Sequence, residues 1–299
     1  MRRIRLMPSL LITLACAYLA ILILLLVFER RLVFFPQIPG RLSGDWSPPD
    51  LTHEDVWLTS ADGVRVHAWW IPAQASGSGG SSLPTFLCFH GNAANIAWRA
   101  DFYRFLRDLR ANVLALEYRG YGHSEGAPSE AGIYADAEAA FNYLVRDRGI
   151  PPERVIAYGQ SLGTAVAAHL AVDHFLGGVV LEAPFPSARA LAQRIYWFLP
   201  GLGWLIRSRF TISEDLAQAA RSHPRGAAAP LLVVHCTQDP VIPFEFGKMV
   251  YDAAPEPKAF VAIQGECHEE ATLVDPMAMR GELRKFLDGV RGMESGAKF

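Results

Sequence analysis

GQSLG at residues 159–163 is the most informative pentapeptide of this 299-residue chain. Residues 154–158 (RVIAY) before it are apolar enough for a buried strand, and residues 164–171 (TAVAAHLA) after it are rich in helix formers. A strand, a Gly-x-Ser-x-Gly turn and a helix are the context of a nucleophile elbow, which presents a serine hydroxyl at the end of a sheet. The pattern therefore predicts that Ser161 is a nucleophile.

A second match to the same pattern occurs at residues 122–126 (GHSEG), so the pentapeptide alone does not identify the nucleophile. The residues that follow, 127–129 (APS), do not predict a helix. Because the strand–turn–helix context is missing, we assign Ser124 to a glycine-rich loop.

Strand and helix patterns alternate along most of the chain. A hairpin signal is followed by repeated strand–helix units, which predicts an α/β fold with a mostly parallel eight-stranded sheet covered by helices on both faces. One long break, residues 186–226, is rich in aromatic residues and is predicted to be a short helical cap. Predicted strands are 55–59, 64–71, 85–89, 113–118, 154–158, 179–182, 231–235 and 259–263, and predicted helices are 96–110, 133–148, the segment after Ser161, 244–253 and 273–289.

The N-terminus carries an apolar run at residues 6–28 that contains no charged residue and is long enough to cross a hydrocarbon layer. A cleaved signal peptide is the alternative, but the run is long and no small-x-small cleavage site ends it. We therefore predict a basic flank and membrane anchor at 1–31. The short basic N-terminus favours a cytoplasmic location for itself and an extracytoplasmic one for the catalytic domain.

The rest of the chain is predicted to form one globular domain. A proline-rich juxtamembrane linker at 32–52 leads into a domain at 53–291, which contains the cap, and a tail follows at 292–299. A Ser/Gly-rich stretch at 75–82 is expected to be a surface loop.

Composition excludes several classes of protein. The net charge is −2 and no basic block follows the N-terminus, so nucleic acid is not expected as a partner. The four cysteines show neither metal-ligand spacing nor a disulfide framework, and no metal or cofactor is predicted. Whether Cys236 and Cys267 form a disulfide depends on their strands being neighbours, and that stays open, as does the oligomeric state.

A serine nucleophile needs a histidine base, which follows the last strand of such a sheet. Five of the nine histidines follow Ser161. His268 lies after the last predicted strand and is the predicted base. The other four do not suit the role, because two lie on the helix after the serine, one lies in the cap and one ends a buried strand: His169, His174, His223 and His235.

The acid and the oxyanion donors complete the predicted site. Asp239, just after a strand, is the predicted acid, and Glu182 at another strand end is the runner-up. The backbone N–H groups of Leu162 and Asn92 are the predicted oxyanion hole, since Asn92 lies in the loop after an early strand. His90 in that same loop is assigned a loop-ordering role, because it precedes the serine.

Together these motifs resemble the α/β-hydrolase superfamily and, within it, the membrane-anchored Bem46-like, ABHD13/17-type serine hydrolases. The motifs that carry the resemblance are HGNA at 90–93, YRGYGHSEG at 118–126, GQSLG at 159–163, and Asp239 with VIP at 241–243. The resemblance implies the α/β-hydrolase fold and a Ser161, His268 and Asp239 triad. Cys236 stands where the family usually has glycine, Thr164 stands where a third glycine is frequent, and residues 181–185 are a variant.

The predicted function is that of a membrane-anchored serine hydrolase. Its substrate would be a carboxylic ester or thioester, from a small molecule or a lipid acyl chain, cleaved through an acyl-enzyme. A peptidase or amidase on the same fold is the alternative among enzymes. Outside enzymes, a non-catalytic binding protein is the alternative, which the intact set of three residues disfavours.

Overall fold

The computed structural model describes residues 6–74, 83–222 and 228–294. Four predictions lie outside these residues: the basic flank at 1–5, the loop at 75–82, the cap histidine His223, and the last five residues of the tail.

The core of the fold is one eight-stranded sheet, as predicted. The strand order is β1-β2-β4-β3-β5-β6-β7-β8. The pairs β1–β2 and β2–β4 are antiparallel and the other five pairs are parallel. The strands are β1 (Glu54–Thr59), β2 (Arg65–Ile71), β3 (Thr85–Phe89), β4 (Asn112–Leu116), β5 (Val155–Gln160), β6 (Gly178–Glu182), β7 (Leu231–Cys236) and β8 (Lys258–Ile263).

The strand order reverses at β3, which lies between β4 and β5. Phe89 at the end of β3 pairs with Gly159 of β5, so the loops after these two strands begin side by side. In open α/β sheets, ligands bind at the carboxyl ends of the strands at such a reversal. The fold thus brings the 90–95 loop and the serine turn to one edge.

Helices cover both faces of the sheet, and the described part of the cap contributes three more. The domain helices are α3 (Ala100–Arg107), α4 (Glu130–Asn142), α5 (Leu162–Asp173), α9 (Phe244–Ala253), α10 (Ala271–Val274) and α11 (Pro276–Glu294), and the cap helices are α6 (Ala188–Ile195), α7 (Leu202–Leu205) and α8 (Ile212–Ser222).

Three helices differ from prediction. The helix expected over 133–148 begins earlier, at Glu130, and its α-helical part ends at Asn142, where a π-helical turn over Tyr143–Asp147 follows. The helix expected over 96–110 begins with a separate 3₁₀ turn at Ile96–Trp98. The helix expected over 273–289 is divided at Pro276, which lies at the first position of α11. Proline fits that position because its nitrogen has no proton to donate and its φ is already helical.

The sheet separates two apolar cores because successive side chains of a strand point to opposite faces. Leu87 and Phe89 of β3 pack with α4 and α5 on one face. Phe86 and Cys88 of the same strand pack with α3 and α11 on the other face. Burial on both faces explains why the parallel strands are mostly apolar, with polar residues at their ends.

The N-terminal segment forms α1 (Leu6–Val27) and the short α2 (Glu29–Val33). Residues Ser9–Val27 are long and apolar enough to cross a membrane, with a mean hydropathy of 3.0. The following linker is not a free tether, because it packs on the domain. Phe34 is buried in edge-to-face contact with Phe210, and Leu51 is buried against the sheet.

Candidate active site

The turn after β5 has the strained geometry of a nucleophile elbow. Ser161 has a φ of 50°, a left-handed conformation that is uncommon for a residue other than glycine. A Cβ on Gly159 would overlap the Gly163 carbonyl, and one on Gly163 would overlap the carbonyl of Phe89. Both glycines are therefore required for α5 to approach the strands closely enough to form this turn.

Asp239 and His268 meet at the same edge of the sheet. His268 Nδ1 lies 2.8 Å from Asp239 Oδ2, and the Asp239 side chain is fully buried. The other carboxylate oxygen accepts hydrogen bonds from the backbone N–H groups of Val241 and Ile242, at 2.7 and 2.8 Å. The loop after β7 thus fixes the carboxylate, and the carboxylate fixes the imidazole.

The electrostatics of this pair favour an ionised acid. Burial alone would raise the pKa of Asp239, but hydrogen bonds from His235 and His268 outweigh it and hold the pKa well below the ordinary 3.8. Burial opposes protonation of His268, yet the hydrogen bond to Asp239 and the charge of Glu269 raise its pKa above 6.5. The pair is therefore arranged to stabilise an imidazolium.

Glu182, the runner-up for the acid, has a structural role instead. Its carboxylate accepts hydrogen bonds from Tyr158 Oη and Gln160 Nε2, both at 2.9 Å, and from the Ala271 N–H at 3.0 Å. Burial raises the pKa of Glu182 despite these donors. Within the described residues it makes no hydrogen bond to a histidine, so it anchors the start of α10 to the sheet.

Sequence reasoning missed the contact that His235 makes with the acid. His235 is fully buried, with Nε2 at 3.0 Å from the Ile242 carbonyl and 3.4 Å from Asp239 Oδ2. Its place at the end of a buried strand excludes it as the base, and the structure shows that it supports the acid loop. Its place four residues before Asp239 at a strand end was the available signal.

A disulfide joins the end of β7, just before the acid loop, to the histidine loop. Cys236 ends β7 and Cys267 precedes His268, and their Cα atoms lie 5.6 Å apart. The bridge answers the question that the sequence left open, because β7 and β8 are neighbours in the sheet. It links the histidine loop to the strand end that leads into Asp239.

Glu269 was also missed by sequence reasoning. Its Oε1 lies 3.9 Å from His268 Nε2, and its Oε2 forms an ion pair with Arg99, which is largely buried. The carboxylate packs against Gly91, where any side chain would overlap it. Glu269 therefore connects the histidine loop to the 90–95 loop.

The two residues whose N–H groups are the predicted oxyanion donors lie at one cavity with the serine. Asn92 and Leu162 line a cavity together with Ser161. The Asn92 carbonyl accepts hydrogen bonds from the Phe35 N–H and from Tyr121 Oη, both at 2.8 Å, which fix the backbone of the 90–95 loop just after the predicted donor. Neither the Asn92 nor the Leu162 N–H donates a hydrogen bond to another residue in the described part of the chain.

Ser161 and His268 lie on neighbouring loops, but no hydrogen bond joins their side chains among the described residues. The loops themselves are tied, since Gln160 Nε2 donates to the Glu269 carbonyl at 3.0 Å. This bond places the residue before the serine against the residue after the histidine. Catalytic hydrogen bonds are often long in ligand-free proteins and tighten when substrate binds.

The cavity beside Ser161 has a volume of about 360 Å³ and is mainly apolar. One wall comes from the cap, including Leu191 and Ile206, and another comes from Leu25 and Leu32 at the end of the N-terminal helices. A cavity of this size and lining is typical of a site for a small, mainly apolar ligand.

Other candidates from the sequence lie elsewhere or are structural. Ser124 is fully buried, donates to the Glu117 carbonyl at 2.7 Å and accepts from the His67 N–H at 2.8 Å. His90 is buried with Nε2 at 3.1 Å from a Glu117 oxygen. His169 and His174 contact Asp215 and Glu138 respectively, away from the cavity.

Comparison with known proteins identifies the family. Residues 84–212 match the alpha/beta hydrolase fold family. An alpha/beta hydrolase domain-containing protein of Arabidopsis thaliana, WAV2, is 35% identical, with 77% of each chain covered. The chain belongs to the alpha/beta hydrolase family. The chain also resembles two further proteins. One is an uncharacterised protein of Mycobacterium tuberculosis, 34% identical over 87% of both chains, and the other is the lysophosphatidylserine lipase ABHD12 of Danio rerio, 31% identical over 70% of this chain and 60% of that protein.

Solved alpha/beta hydrolase structures share the fold. An esterase of Pyrococcus furiosus superposes with a TM-score of 0.65, covering 86% of this chain and 97% of that one at 18% identity. An alpha/beta hydrolase of Vibrio vulnificus gives a TM-score of 0.61 at 22% identity, with 77% and 80% covered. At these identities the likeness concerns the fold alone.

Proposed function

We propose that this alpha/beta hydrolase is a membrane-anchored serine hydrolase of the Bem46-like, ABHD13/17 type, cleaving carboxylic esters or thioesters with an apolar acyl chain. The observation that carries the proposal is the 2.8 Å hydrogen bond between His268 and Asp239 at the edge of the sheet where the strained Ser161 turn lies. The three groups follow one another in the chain order that this fold uses for its triad.

The proposed reaction transfers the acyl group to water in two steps. His268 Nε2 takes the proton of Ser161 Oγ as the oxygen attacks the carbonyl carbon, and then gives that proton to the leaving alcohol or thiol. Water loses a proton to His268, attacks the acyl-enzyme and releases the acid, while the proton returns to Ser161. Asp239 holds the imidazole tautomer and stabilises the imidazolium.

The developing oxyanion would be bound by the Asn92 and Leu162 N–H groups. Leu162 is the first residue of α5, where the helix dipole also favours negative charge. Loss of one such donor in other hydrolases lowers transition-state stabilisation by about 3 kcal/mol.

The acyl chain would occupy the apolar cavity. Its walls come from the cap and from the end of the N-terminal helices, so a substrate carried by a lipid could reach Ser161 from the membrane side. The name of the related lysophosphatidylserine lipase agrees with an acyl-lipid substrate class.

Two observations support an uncleaved anchor with the domain outside the cytoplasm. Leu22 of α1 is buried against the cap residues Leu199 and Leu202, so α1 is part of the folded structure. The Cys236–Cys267 disulfide is typical of an oxidising compartment.

Hydrolysis of a panel of p-nitrophenyl esters by the detergent-solubilised full chain tests this function. We expect turnover that rises from acetate toward longer acyl chains and is absent from Ser161→Ala. Equal turnover by the parent and by Ser161→Ala would contradict the proposal.

A further inference from the structure

The tip of the cap, residues 195–206 (IYWFLPGLGWLI), contains no charged residue. Several of its largest side chains face away from the protein. Trp197 is 76% exposed, Trp204 is 70% exposed, and Phe198 is more than half exposed. Exposed large apolar side chains that lie close together usually mark an interaction site.

The cap tip lies along the side of α1. Leu22 of α1 is buried between Leu199 and Leu202, and the Tyr18 hydroxyl donates a hydrogen bond to the Pro200 carbonyl. The remaining faces of α1 stay open, as Leu19 and Ile23 are both more than half exposed. The cap tip and α1 therefore present one continuous apolar surface.

Glu29, two residues after α1 ends, fixes where the base of the cap tip lies along the axis of α1. Its carboxylate accepts hydrogen bonds from the backbone N–H groups of Arg207 and Ser208, at 3.0 and 2.7 Å. From the position of Glu29, the cap tip extends alongside α1 toward the N-terminus of that helix, as far as Tyr18. In the sequence, arginines occur only on the two flanks of the cap tip, at Arg189, Arg194, Arg207 and Arg209, and the Arg189 guanidinium lies over one face of the Trp204 ring.

The height of the cap tip on α1 follows from helix geometry. Tyr18 lies nine residues before Val27, which corresponds to about 14 Å along the helix axis. The hydrocarbon layer of a bilayer is about 30 Å thick. If α1 spans the membrane, the Tyr18–Pro200 contact lies near the middle of that layer.

From these contacts we infer that the cap tip is inserted in the lipid leaflet next to the catalytic domain, with Trp197 and Trp204 in contact with lipid. The uncharged sequence suits hydrocarbon, and the flanking arginines suit the headgroup region, where their charges remain solvated. A water-soluble partner protein would have to cover both the cap tip and a membrane-spanning helix. The bilayer covers both of these surfaces by itself.

The inserted cap tip gives the active-site cavity a lipid-facing wall. Tyr196, Leu202 and Ile206 line the cavity on one side, and Leu25 of α1 lines it on another. An acyl chain could thus pass from the leaflet to Ser161 without crossing water. The inference rests on the proposed anchor, whereas the insertion itself does not depend on the hydrolytic chemistry.

Spin-label accessibility in lipid nanodiscs tests the inference on the full chain. Labels are placed one at a time, in a Cys16→Ser background, through Trp197→Cys and Trp204→Cys. Leu24→Cys, on α1, reports whether the anchor is inserted, and Trp57→Cys is the matched control on β1, where the indole is 47% exposed. Collisions with oxygen and with a water-soluble nickel chelate are measured at each site.

We expect oxygen collisions to exceed nickel collisions at 197 and 204, as at 24, with the reverse at 57. A water-like result at 197 and 204 beside a membrane-like result at 24 would overturn cap insertion and leave the anchor intact. A water-like result at 24 would overturn the anchor and the inference with it. Low accessibility to both reagents at 197 and 204 would show that protein covers the cap tip, and this result would also overturn the inference.

A second measurement separates insertion from catalysis. Trp197→Asp and Trp204→Asp should keep the parent turnover of a soluble short-chain ester and lose turnover of an ester embedded in the nanodisc. Trp57→Asp should keep both. Parent-like turnover of the embedded ester in both cap variants would contradict the inference, whereas absence of short-chain turnover in the parent would contradict the proposed function instead.

Discussion

His268 Nε2 lies 3.9 Å from Glu269 Oε1, so the imidazole has a carboxylate beside each of its nitrogens. Asp239 is hydrogen-bonded to Nδ1, and Glu269 approaches the nitrogen that would accept the serine proton. The two carboxylates act in the same direction, because both raise the pKa of His268 against the opposing effect of burial.

The hydrolase activity should depend on a group with a pKa above the ordinary histidine value of 6.5. A protonated His268 cannot accept the serine proton, so kcat/KM should be low in acid and rise as pH increases through this raised pKa. Glu269→Gln removes a negative charge and should move the midpoint of the rise to lower pH. The measurement is the pH profile of kcat/KM for both proteins.

Glu266→Gln is the matched control, because Glu266 is an exposed residue of the same loop. It should leave the midpoint of the pH profile in place. A midpoint that is the same in the parent and in Glu269→Gln would show that Glu269 does not tune the histidine.

The Cys236–Cys267 disulfide should stabilise the fold and support the acid–histidine pair. The two cysteines are 31 residues apart in sequence, and closing a loop of this length stabilises a fold by about 3 to 4 kcal/mol. Reduction should therefore lower both the Tm and kcat. A Cys236→Ser, Cys267→Ser double variant should start at the lower values and show no further change with reductant.

Thiol counting accompanies this measurement. The native protein should expose two thiols after denaturation, Cys16 and Cys88, and the reduced protein four. An unchanged Tm after complete reduction would mean that the bridge contributes nothing to stability.

The choice of Asp239 as the acid predicts a contrast between two variants. Asp239→Asn should lower kcat by about 10⁴-fold, because the amide favours the wrong tautomer of the histidine. Glu182→Gln should keep kcat near that of the parent but lower the Tm. The introduced amide would leave one of the buried donors to this carboxylate unpaired, which would lower the free energy of unfolding by about 1 to 3 kcal/mol. Steady-state kinetics and thermal unfolding of both variants measure the contrast, and the opposite pattern would make Glu182 the acid.

The cavity should set the acyl-chain preference. Ala188 of α6 lines it, so Ala188→Phe should reduce kcat/KM for long-chain esters and leave acetate turnover unchanged. Ala190→Phe is the control, because Ala190 is on the same helix but outside the cavity lining. The two variants are compared by chain-length profiles, and equal losses for acetate and long-chain esters in Ala188→Phe would argue against an acyl site.

The sequence predicted the sheet well because its signals are local. Every predicted strand lies within two residues of an observed one, since parallel strands buried on both faces are continuous apolar runs. Helix ends were less predictable, as the break at Pro276 shows. The packing of the 32–52 linker on the domain depends on partners such as Phe210, far away in the chain, which no local pattern indicates.

The same reasoning explains which site residues could be found in advance. Asp239 and His268 stand at strand ends in a fixed chain order, and the structure brings them together. Glu269 and Arg99 could not be assigned, because their ion pair joins two loops that are distant in sequence. His235 lies only four residues before Asp239, and its contact with the acid depends on how the loop after β7 folds back. Whether Ser161 is the nucleophile is a question of chemistry that needs a direct experiment.

Labelling with a fluorophosphonate probe is that experiment, since the probe forms a covalent adduct only with an activated serine. The parent chain should label, with the adduct on the peptide that contains Ser161, and Ser161→Ala should not label. Ser124→Ala, which removes the buried serine of the second motif, should label to the same extent per folded molecule. An unlabelled parent, or labelling that survives loss of Ser161, would contradict the account.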